Sequence, residues 1–491
     1  MPKQPISPAV IRGQVIDSDL VEFGGRGGDI SFLAPDPHKI IDRLPLGSPS
    51  KLDDLYRISF DEILDYLEEL GRQLAFDRNE HMQEACELSY GTAPVTPPIL
   101  RSLYQSMPAM FERERIRTWC ETSVPIPYLE GWVETQANGF DVAVRAYGSR
   151  CLHVVAGNAP SIGAVSVMRG AVTRGDTIIK APSNDPFTTG AIARTMCDFA
   201  PDHPITKHVS VAYWRGGDEE FESRLYQPHN IEKIVAWGGF ASVKHVTKYI
   251  QPGLELISLD PKRSAAVVGA DALESSQMLE EAAARIATDV GAVNQNACAS
   301  CRLVYVMCGT DDDGIATLSK LGKLVYEKMM GLPPDLSTKP KSYDPSLKAD
   351  VDALRLMDDW YEVIGGEDGE GAVIVSHTPE AVDFADALDD RTVNLIPVDT
   401  MDEILDAVDA YTQTVGVFPH ELIGELRHKM SLHGAQRFVS LGYAFNGPGV
   451  IGPQDAIEPV RRMCKWIVVE TPGEQSVPLW ELQEGELALS P

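Results

Sequence analysis

Short apolar, β-prone runs alternate with helical patterns between residues 151 and 268. The runs cover residues 152–156, 177–180, 208–214, 231–237 and 265–268. This rhythm is typical of a parallel sheet with helices on its faces. The same alternation returns at residues 372–376 and 393–398, so the sequence predicts a second α/β domain further along the chain.

Two local patterns predict a helix and a hairpin. Ser59 and Glu62 have the spacing of a capping box at a helix start. The apolar positions that follow recur on one helical face: Ile63, Leu67, Leu70 and Leu74. Between residues 132 and 147, two β-prone runs flank Asn138-Gly139, a dipeptide that favours a two-residue hairpin turn.

A second long helical pattern leads into a polar segment and a strand. Its apolar stripe consists of Leu279, Ala282, Ala283, Ile286 and Val290. The polar residues 294–298 follow, and a strand is predicted at 302–307. Residues 309–350 are rich in Asp, Lys, Pro and Gly, and we expect a surface excursion there. The first 55 residues are expected to be irregular or edge structure, and residues 473–491 a tail or a strap between subunits.

Composition narrows the class of protein. The 491 residues exceed what one hydrophobic core usually supports, so at least two domains are expected. The formal net charge of −29 repels polyphosphate backbones, which argues against nucleic acid as a partner. No stretch approaches the roughly 20 apolar residues of a membrane span, and no apolar leader follows the N-terminus. We expect a cytoplasmic enzyme whose eight scattered cysteines are mostly reduced.

Cys298 is the candidate nucleophile. It stands at a helix-to-strand junction among Asn, Gln and Ser residues, with Arg302 four positions further on. A thiolate could be stabilised there and amide donors could face an oxyanion, which suits covalent catalysis. The alternative is that Cys298 and Cys301 form a CxxC redox pair or half of a metal site, although no matching second pair follows. No metal site is predicted.

Residues after the first two strands are candidate ligand-binding groups, because ligands of such folds lie beyond the carboxyl ends of strands. Asn158 follows the first strand and is placed to reach an active site, although an Asn in Gly-Asn-Ala-Pro is also an ordinary turn residue. Lys180 and Ser183 follow the second strand, where Rossmann-like folds recognise the adenosine ribose, and both suit a phosphate. A plain surface lysine is the alternative for Lys180.

A third candidate segment, Trp237-Gly238-Gly239, ends the fourth strand. Its glycines allow a ligand to approach the backbone, and a simple turn is the alternative. The standard GxGxxG dinucleotide fingerprint is absent from the chain.

Taken in order, these segments resemble the aldehyde dehydrogenase superfamily from about residue 60 to residue 470. Residues 157–160, Gly-Asn-Ala-Pro, are similar to the family's Pro-Trp-Asn-Phe segment, whose Asn donates to an oxyanion. Residues 176–180 resemble its cofactor strand, and residues 237–239 stand in the place of its Thr-Gly-Ser. Residues 294–302 resemble the nucleophile segment, although the Arg is here one residue nearer the Cys.

A closer resemblance is to the LuxC-type acyl-CoA reductases. The shared features are the Gly-Asn-x-Pro opening, the Gln-x-Ala-Cys-x-Ser nucleophile segment and a basic C-terminal stretch, here residues 458–466. Residues 256–264 depart from oxidising aldehyde dehydrogenases, because Leu259 stands where these carry a water-activating Glu. The neighbouring Asp260 would point to the opposite face of a strand. A CoA-dependent enzyme exchanges its acyl group between two thiols and needs no water base.

The resemblance implies an aldehyde dehydrogenase-like α/β fold in three parts. A Rossmann-like NAD(P)-binding domain would comprise residues 1–126 and 148–258, and a catalytic α/β domain residues 259–445. A β-hairpin oligomerisation arm and a C-terminal strap would comprise residues 127–147 and 446–491. We therefore expect a homo-oligomer.

The resemblance also implies a reaction. Cys298 would attack an acyl-CoA thioester, CoA would leave, and NADPH or NADH would reduce the acyl group to the aldehyde. Asn158 and the Cys298 backbone N–H would hold the oxyanion. An acyl-activating enzyme is a further expected partner. The acyl group itself, whether fatty, aromatic or steroidal, is left open.

The loop after the second strand predicts which cofactor the protein prefers. Ser183 replaces the Glu with which NAD-preferring relatives bind the ribose hydroxyls, so we expect NADPH, with Lys180 paired to its phosphate. Asp185 could swing back to the ribose and favour NADH instead. The rival functions are CoA-independent aldehyde oxidation with a relocated base, and a non-catalytic assembly subunit.

Overall fold

The computed structural model describes residues 4–24, 31–446, 453–473 and 477–481. The strands in chain order are β1 (Ala9–Ile11), β2 (Gln14–Ile16), β3 (Leu20–Gly24), β4 (Ser31–Pro35), β5 (Val133–Ala137), β6 (Phe140–Gly148), β7 (Cys151–Val154), β8 (Thr177–Lys180), β9 (Val209–Ala212), β10 (Lys233–Trp237), β11 (Glu255–Leu259), β12 (Arg263–Val268), β13 (Cys301–Val306), β14 (Tyr361–Gly365), β15 (Ala372–Ser376), β16 (Val393–Pro397), β17 (Thr412–Phe418), β18 (Arg437–Ser440) and β19 (Cys464–Pro472).

The α-helices in chain order are α1 (Pro37–Ile40), α2 (Phe60–Gln73), α3 (Glu80–Ser89), α4 (Pro97–Ser106), α5 (Arg113–Ser123), α6 (Ile126–Glu130), α7 (Ser161–Thr173), α8 (Thr188–Phe199), α9 (Pro204–Lys207), α10 (Glu219–Leu225), α11 (Phe240–Thr247), α12 (Ser276–Gly291), α13 (Asp312–Met330), α14 (Pro345–Leu354), α15 (Met401–Asp406), α16 (Ile423–His433) and α17 (Pro459–Met463). No helix within the described ranges is long and apolar enough to cross a membrane.

The first sheet has the strand order β11-β10-β7-β8-β9-β1-β2. Strands β11 to β9 in that order run parallel, and β1 joins β9 antiparallel. Four of the five β-prone runs are therefore confirmed as one parallel sheet. The fifth prediction, at residues 265–268, was wrong in its sheet: that run lies in β12, which belongs to the second sheet. Pairing is decided by distant partners, so strand propensity alone could not assign it.

The second sheet has the order β14-β15-β16-β13-β12-β17-β18 and is parallel except for β14. The predicted strands at 372–376 and 393–398 are its β15 and β16, so the second α/β unit is confirmed. Its core includes β12, β13 and the buried face of α12.

Helix α2 begins where the sequence indicates. The Ser59 side chain caps it by accepting a hydrogen bond from the Glu62 backbone N–H at 3.1 Å. The predicted apolar faces of α2 and α12 are both buried. The surface excursion at 309–350 was wrong, because α13 occupies 19 of those residues. Its buried stripe is Leu318, Leu321, Val325 and Met329. Acidic and basic residues on the exposed face of α13 concealed this periodicity.

The hairpin is confirmed as β5 and β6. Asn138 and Gly139 form its turn with φ angles of 50° and 79°, the left-handed conformation that this turn type requires. Strand β19 pairs antiparallel with β6 over nine residues, which gives a three-stranded sheet with β19 at one edge. Near the N-terminus, β2 is an edge strand as expected, whereas β1 is fully buried and lies between β2 and β9. Residues 474–476 and 482–491 of the predicted tail or strap lie outside the described residues, and the domain boundaries stay predictions.

Candidate active site

The segment that carries Cys298 leaves α12 through an unusual backbone. Val293, Asn294 and Gln295 have positive φ angles of 49°, 53° and 65°. A β-branched residue such as valine strongly disfavours this conformation, so the surroundings must hold it in place. Two buried side chains do so. Asn294 accepts a hydrogen bond from the Thr338 backbone N–H at 2.9 Å, and Gln295 accepts one from the Thr392 N–H at 2.8 Å. Asn294 and Gln295 therefore anchor the loop rather than face an oxyanion.

Cys298 differs from Cys301, its partner in the CxxC pattern. The Cys298 side chain is exposed, whereas Cys301 is 2% exposed and its thiol lies 3.3 Å from the carbonyl of Leu303. Burial raises the pKa of the Cys301 thiol far above its usual range. In the described parts of the chain, no group of three or more His, Cys, Asp or Glu could hold a metal ion. The surroundings of these two thiols thus differ sharply.

The thiol of Cys298 receives opposing influences. Its pKa lies above the usual value, because desolvation by the protein around it raises the pKa more than a hydrogen bond from Gln413 lowers it. The negative charge of Asp455 raises this pKa, and the positive charge of Arg302 lowers it. The backbone of the nucleophile is also fixed, because the Ser264 hydroxyl donates to the Cys298 carbonyl at 2.6 Å. Cys298 therefore has the access and the polar contacts that a nucleophile needs.

Asn158 lies beside the nucleophile loop. It stands in the turn between β7 and α7, and its side-chain N–H donates to the carbonyl of Asn296 at 2.9 Å. Asn296 is two residues before Cys298, so the structure brings these two candidates together. A second amide hydrogen of Asn158 is left for another acceptor. Its role toward an oxyanion stays a prediction.

Arg302 is bound to backbone carbonyls of two loops. Its guanidinium donates to the carbonyls of Leu388 at 2.8 Å and Ser300 at 3.1 Å. The side chain therefore anchors the end of the nucleophile loop, and it acts on Cys298 through its charge.

The position predicted for the oxidising base is apolar. Leu259 is 4% exposed and lies in a buried cluster with Cys151, Val235 and Ile257. Asp260, the next residue, is exposed on the other side and hydrogen-bonds the Ser258 hydroxyl. The carboxylate nearest in sequence to the expected base is therefore turned away from the buried cluster.

Lys180 and Ser183 lie at the carboxyl end of β8, as their sequence positions predict. Burial lowers the pKa of Lys180 to about 8, and the charge of Glu222 opposes that shift. The Lys180 ammonium lies 5.7 Å from the centre of the Trp214 ring, at the end of the neighbouring strand. Ser183 is half-buried in the loop that follows β8.

Asp185 is buried near the start of α8. Its carboxylate is 7% exposed and accepts hydrogen bonds from both the backbone N–H and the hydroxyl of Thr188, at the start of α8. The Ser89 hydroxyl also donates to it at 3.4 Å. These hydrogen bonds occupy the carboxylate within the protein, and its role toward the ribose stays a prediction.

Trp237, Gly238 and Gly239 connect β10 to α11. The Trp237 ring packs on the guanidinium of Arg169, 4.9 Å away. A side chain added at Gly239 would meet nothing within 4 Å, so open space adjoins this helix start. Gly238 has a φ of 155°, which favours glycine there. Lys180 supplies a half-buried cation, Ser183 a small hydroxyl and residues 237–239 an open glycine segment. All three lie at the carboxyl end of the parallel strands, and together they fit a nicotinamide nucleotide.

Several polar residues near Cys298 carry no local sequence signal. They are Arg169 in α7, Gln413 in β17, Arg437 in β18 and Asp455. Burial lowers the pKa of Arg437, and the charge of Cys298 opposes this. Burial lowers the pKa of Arg169 to about 9, and Asp455 opposes this. Contacts between segments that are distant in the sequence bring these residues together around the nucleophile.

Comparison with solved structures defines the class of protein. Aldehyde dehydrogenase 21 of Physcomitrella patens, in complex with its product succinate, superposes with a TM-score of 0.73 at 13% identity, covering 97% of this chain and 100% of that one. The NADP-dependent glyceraldehyde-3-phosphate dehydrogenase of Bacillus halodurans C-125, complexed with NADP, gives 0.70 at 12% identity, covering 96% and 99%. The chain has the aldehyde dehydrogenase-like α/β fold.

The family follows from sequence. The family model described as acyl-CoA reductase (LuxC) matches residues 55–466, and the chain belongs to that family. The long-chain acyl-protein thioester reductase of Aliivibrio fischeri is 29% identical over 350 residues, which cover 71% of this chain and 67% of that protein. Its counterpart in Vibrio harveyi is 28% identical over 332 residues, covering 67% and 66%. The matched region thus spans about two thirds of these relatives.

Proposed function

We propose that this protein reduces an acyl-CoA thioester to the aldehyde through an acyl intermediate on Cys298, with NADPH as reductant and CoA released. The observation that carries the proposal is an exposed cysteine in a loop that the Asn158 amide contacts, together with a buried Leu259 at the position where, by the resemblance, oxidising relatives would carry their base. Without such a base the acyl-enzyme resists hydrolysis, and exchange with a thiol is favoured.

The proposed cycle converts the thioester to an aldehyde through an acyl group on Cys298. The Cys298 thiolate attacks the thioester carbon, the bond from that carbon to the CoA sulfur breaks, and CoA leaves as its thiol with one proton. The reduced nicotinamide supplies a hydride to the acyl carbon. The thiohemiacetal then loses the Cys298 sulfur and leaves as aldehyde, so the reaction consumes one proton overall. The free amide hydrogen of Asn158 and the Cys298 N–H would hold the oxygen while it is negative.

The preference for NADPH is supported by the loop after β8. Ser183 offers a hydroxyl where a carboxylate would repel the ribose phosphate, and Asp185 is occupied at the start of α8. Lys180 supplies a positive charge on the same edge. With the residues 237–239, these side chains would hold the nucleotide, and NADH is the alternative cofactor.

The acyl donor is the open part of the proposal. The curated relatives are named for long-chain acyl groups carried on a protein, whereas the family is described as reducing acyl-CoA. Both donors are thioesters, so the same attack by Cys298 serves either. We propose acyl-CoA as the donor. An acylated protein, loaded by an acyl-activating partner enzyme, is the second candidate.

Two wider proposals concern assembly and location. The sheet of β5, β6 and β19 exposes apolar side chains, and within the described residues no strand pairs with the outer edge of β19, which supports a homo-oligomer. All eight cysteines are free, which supports the cytoplasmic location.

The test is a thioester panel with two readouts. Acyl-CoAs and acyl-protein thioesters of several lengths are assayed for NADPH oxidation and aldehyde formation. Intact mass without cofactor should show an acyl adduct on wild type and on Cys301→Ala, but not on Cys298→Ala. Free acid formed quickly from aldehyde and NADP⁺ without CoA would favour the oxidising alternative, and an adduct on Cys301 would disprove the assigned nucleophile.

A further inference from the structure

The nucleophile loop is tied to strand β17. The Ser264 hydroxyl donates to the Cys298 carbonyl at 2.6 Å and accepts from the Thr414 backbone N–H at 3.2 Å. Thr414 is the third residue of β17, directly after Gln413. A single hydroxyl therefore fixes the backbone of Cys298 relative to this end of β17.

Gln413 contacts two groups with its side-chain amide. It is 7% exposed, and its side-chain hydrogen bond to the Cys298 thiol lowers the pKa of that thiol, against the larger raising effect of desolvation. Its Nε2 also donates to a carboxylate oxygen of Asp455 at 2.5 Å. An amide nitrogen carries two hydrogens, so one can go to the carboxylate and the other to sulfur.

Asp455 is presented by a tight turn at residues 454–457. Asp455 and Ala456 both have left-handed φ angles, 52° and 61°, and Gln454 and Ile457 exchange two backbone hydrogen bonds. Arg169 holds the turn in place, because it donates a hydrogen bond to the Gln454 side chain at 2.7 Å. Arg169 is itself fully buried in α7. Non-glycine residues adopt such a turn only when their surroundings hold it.

We propose that Gln413 is a catalytic residue that donates a hydrogen bond to the Cys298 thiolate, and that Asp455 positions Gln413 for this. The inference rests on Cys298 being the nucleophile of the proposed function. A free glutamine amide can turn either its oxygen or its nitrogen toward sulfur. An ionised carboxylate only accepts, so Asp455 selects the nitrogen end, which stabilises the thiolate.

Asp455 has a second effect of opposite sign. Its negative charge, acting through space, raises the pKa of the Cys298 thiol, while the hydrogen bond from Gln413 lowers it. The other charged groups that face this cluster are Arg302 and Arg437 around Cys298, and Lys262, Asp260 and Arg169 around Asp455. Orienting Gln413 lowers the pKa of the Cys298 thiol and the charge of Asp455 raises it, so the two roles of Asp455 can be measured separately.

The experiment measures the apparent pKa of the Cys298 thiol from the pH dependence of its alkylation by iodoacetamide, followed at the Cys298 peptide. Gln413→Leu should raise this pKa by about one unit, which lowers the alkylation rate at neutral pH roughly tenfold. Gln413→Met, which also lacks the donor, serves if the leucine variant does not fold. Gln436→Leu removes an amide nearby that donates to the Ala410 carbonyl, and it should leave the thiol unchanged.

Asp455→Gly provides the decisive comparison, because glycine keeps the left-handed turn. It should raise the thiol pKa in the wild-type background, where the loss of orientation dominates, and lower it in Gln413→Leu, where only the charge remains to be lost. Asp455→Asn keeps an acceptor and should not raise the pKa. A pKa lowered by Asp455→Gly in both backgrounds, or unchanged in Gln413→Leu, overturns the proposal. The alkylation assay uses no acyl thioester, so its result does not depend on whether the protein reduces acyl-CoA as proposed.

Discussion

At the scale of single residues, Asn158 combines a structural and a chemical role. Its amide holds the Asn296 carbonyl and has one hydrogen left for an oxyanion. Removing one preorganised donor typically costs about 100–1000-fold in turnover, so we expect Asn158→Ala to lose activity on that order while it stays folded. The measurement is kcat, with thermal unfolding as the check on folding. Asn230→Ala, which removes an exposed amide from another loop, is the control. A loss below about tenfold would indicate a turn residue only.

Ser183 should decide the choice of cofactor. A carboxylate introduced there would lie close to the ribose phosphate of NADPH without a partner. We expect Ser183→Glu to penalise kcat/KM for NADPH relative to NADH by on the order of 2 kcal/mol. Ser106→Glu adds the same charge at an exposed helix end and should leave the ratio unchanged. Wild type that prefers NADH, or an unchanged ratio in Ser183→Glu, would contradict the role of this loop.

What the sequence reveals about the site depends on how local each signal is. Cys298 and Lys180 stand where a helix or strand ends, and such junctions are visible in the pattern of apolar positions. Gln413 and Asp455 are ordinary polar residues in their own segments. They become part of the site only because β17 pairs with β12 and the 454–457 turn packs on α7. One sequence contains no signal for such contacts.

At the scale of elements, too, local patterns predict individual strands, whereas pairing between distant segments is not visible in the sequence. The buried strands β8 and β15 are continuous apolar runs and were placed to the residue. The run in β12 was recognised as a strand but assigned to the first sheet, because register with β13 and β17 is a property of the folded chain. Helix α13 has a regular apolar stripe at i, i+3, i+7 and i+11, but the Asp, Lys, Pro and Gly content of residues 309–350 indicates surface structure and conceals that stripe.

A buried ion network joins the edge strands to the parallel sheet. Arg12, after β1, donates to both carboxylate oxygens of Asp176, at 2.5 and 3.0 Å, and His208 also contacts that carboxylate. Burial alone would raise the pKa of Asp176, but the hydrogen bonds from Arg12 and His208 outweigh it and lower the pKa. A lowered folded-state pKa adds stability above the unfolded value of about 4, and this is lost as pH falls through the folded value.

We therefore expect Arg12→Ala to lower the free energy of unfolding at neutral pH by roughly 2–3 kcal/mol, because a buried carboxylate loses a charged partner. The acid-induced loss of stability should also become shallower in this variant. Urea unfolding at several pH values measures both effects. Arg43→Ala, whose side chain hydrogen-bonds exposed Gln14, is the control and should change little. Equal unfolding curves for Arg12→Ala and wild type would show that the network adds no stability.

At the scale of the whole molecule, the net charge opposes association between copies of the chain, whereas the three-stranded sheet favours it. A charge of −29 on each chain repels a second copy, so association needs apolar surface to outweigh it. Strand β19 offers such surface, with Ile467, Val468 and Val469 between 42% and 51% exposed, and in the part of the chain that the structure describes no strand pairs with its outer edge. Apolar side chains on an exposed edge are avoided in monomers, because edges invite pairing with another chain.

The oligomer should therefore depend on β19 and on salt. Val468→Lys places a charge on the exposed strand, and we expect it to shift the protein toward smaller species in sedimentation velocity. Screening reduces repulsion between like-charged chains, so wild type should dissociate further as ionic strength falls from physiological values. Leu432→Lys changes a 75% exposed leucine on α16 and should leave the sedimentation profile unchanged. A wild-type monomer at physiological salt, or a Val468→Lys variant that associates like wild type, would show that β19 does not form the interface.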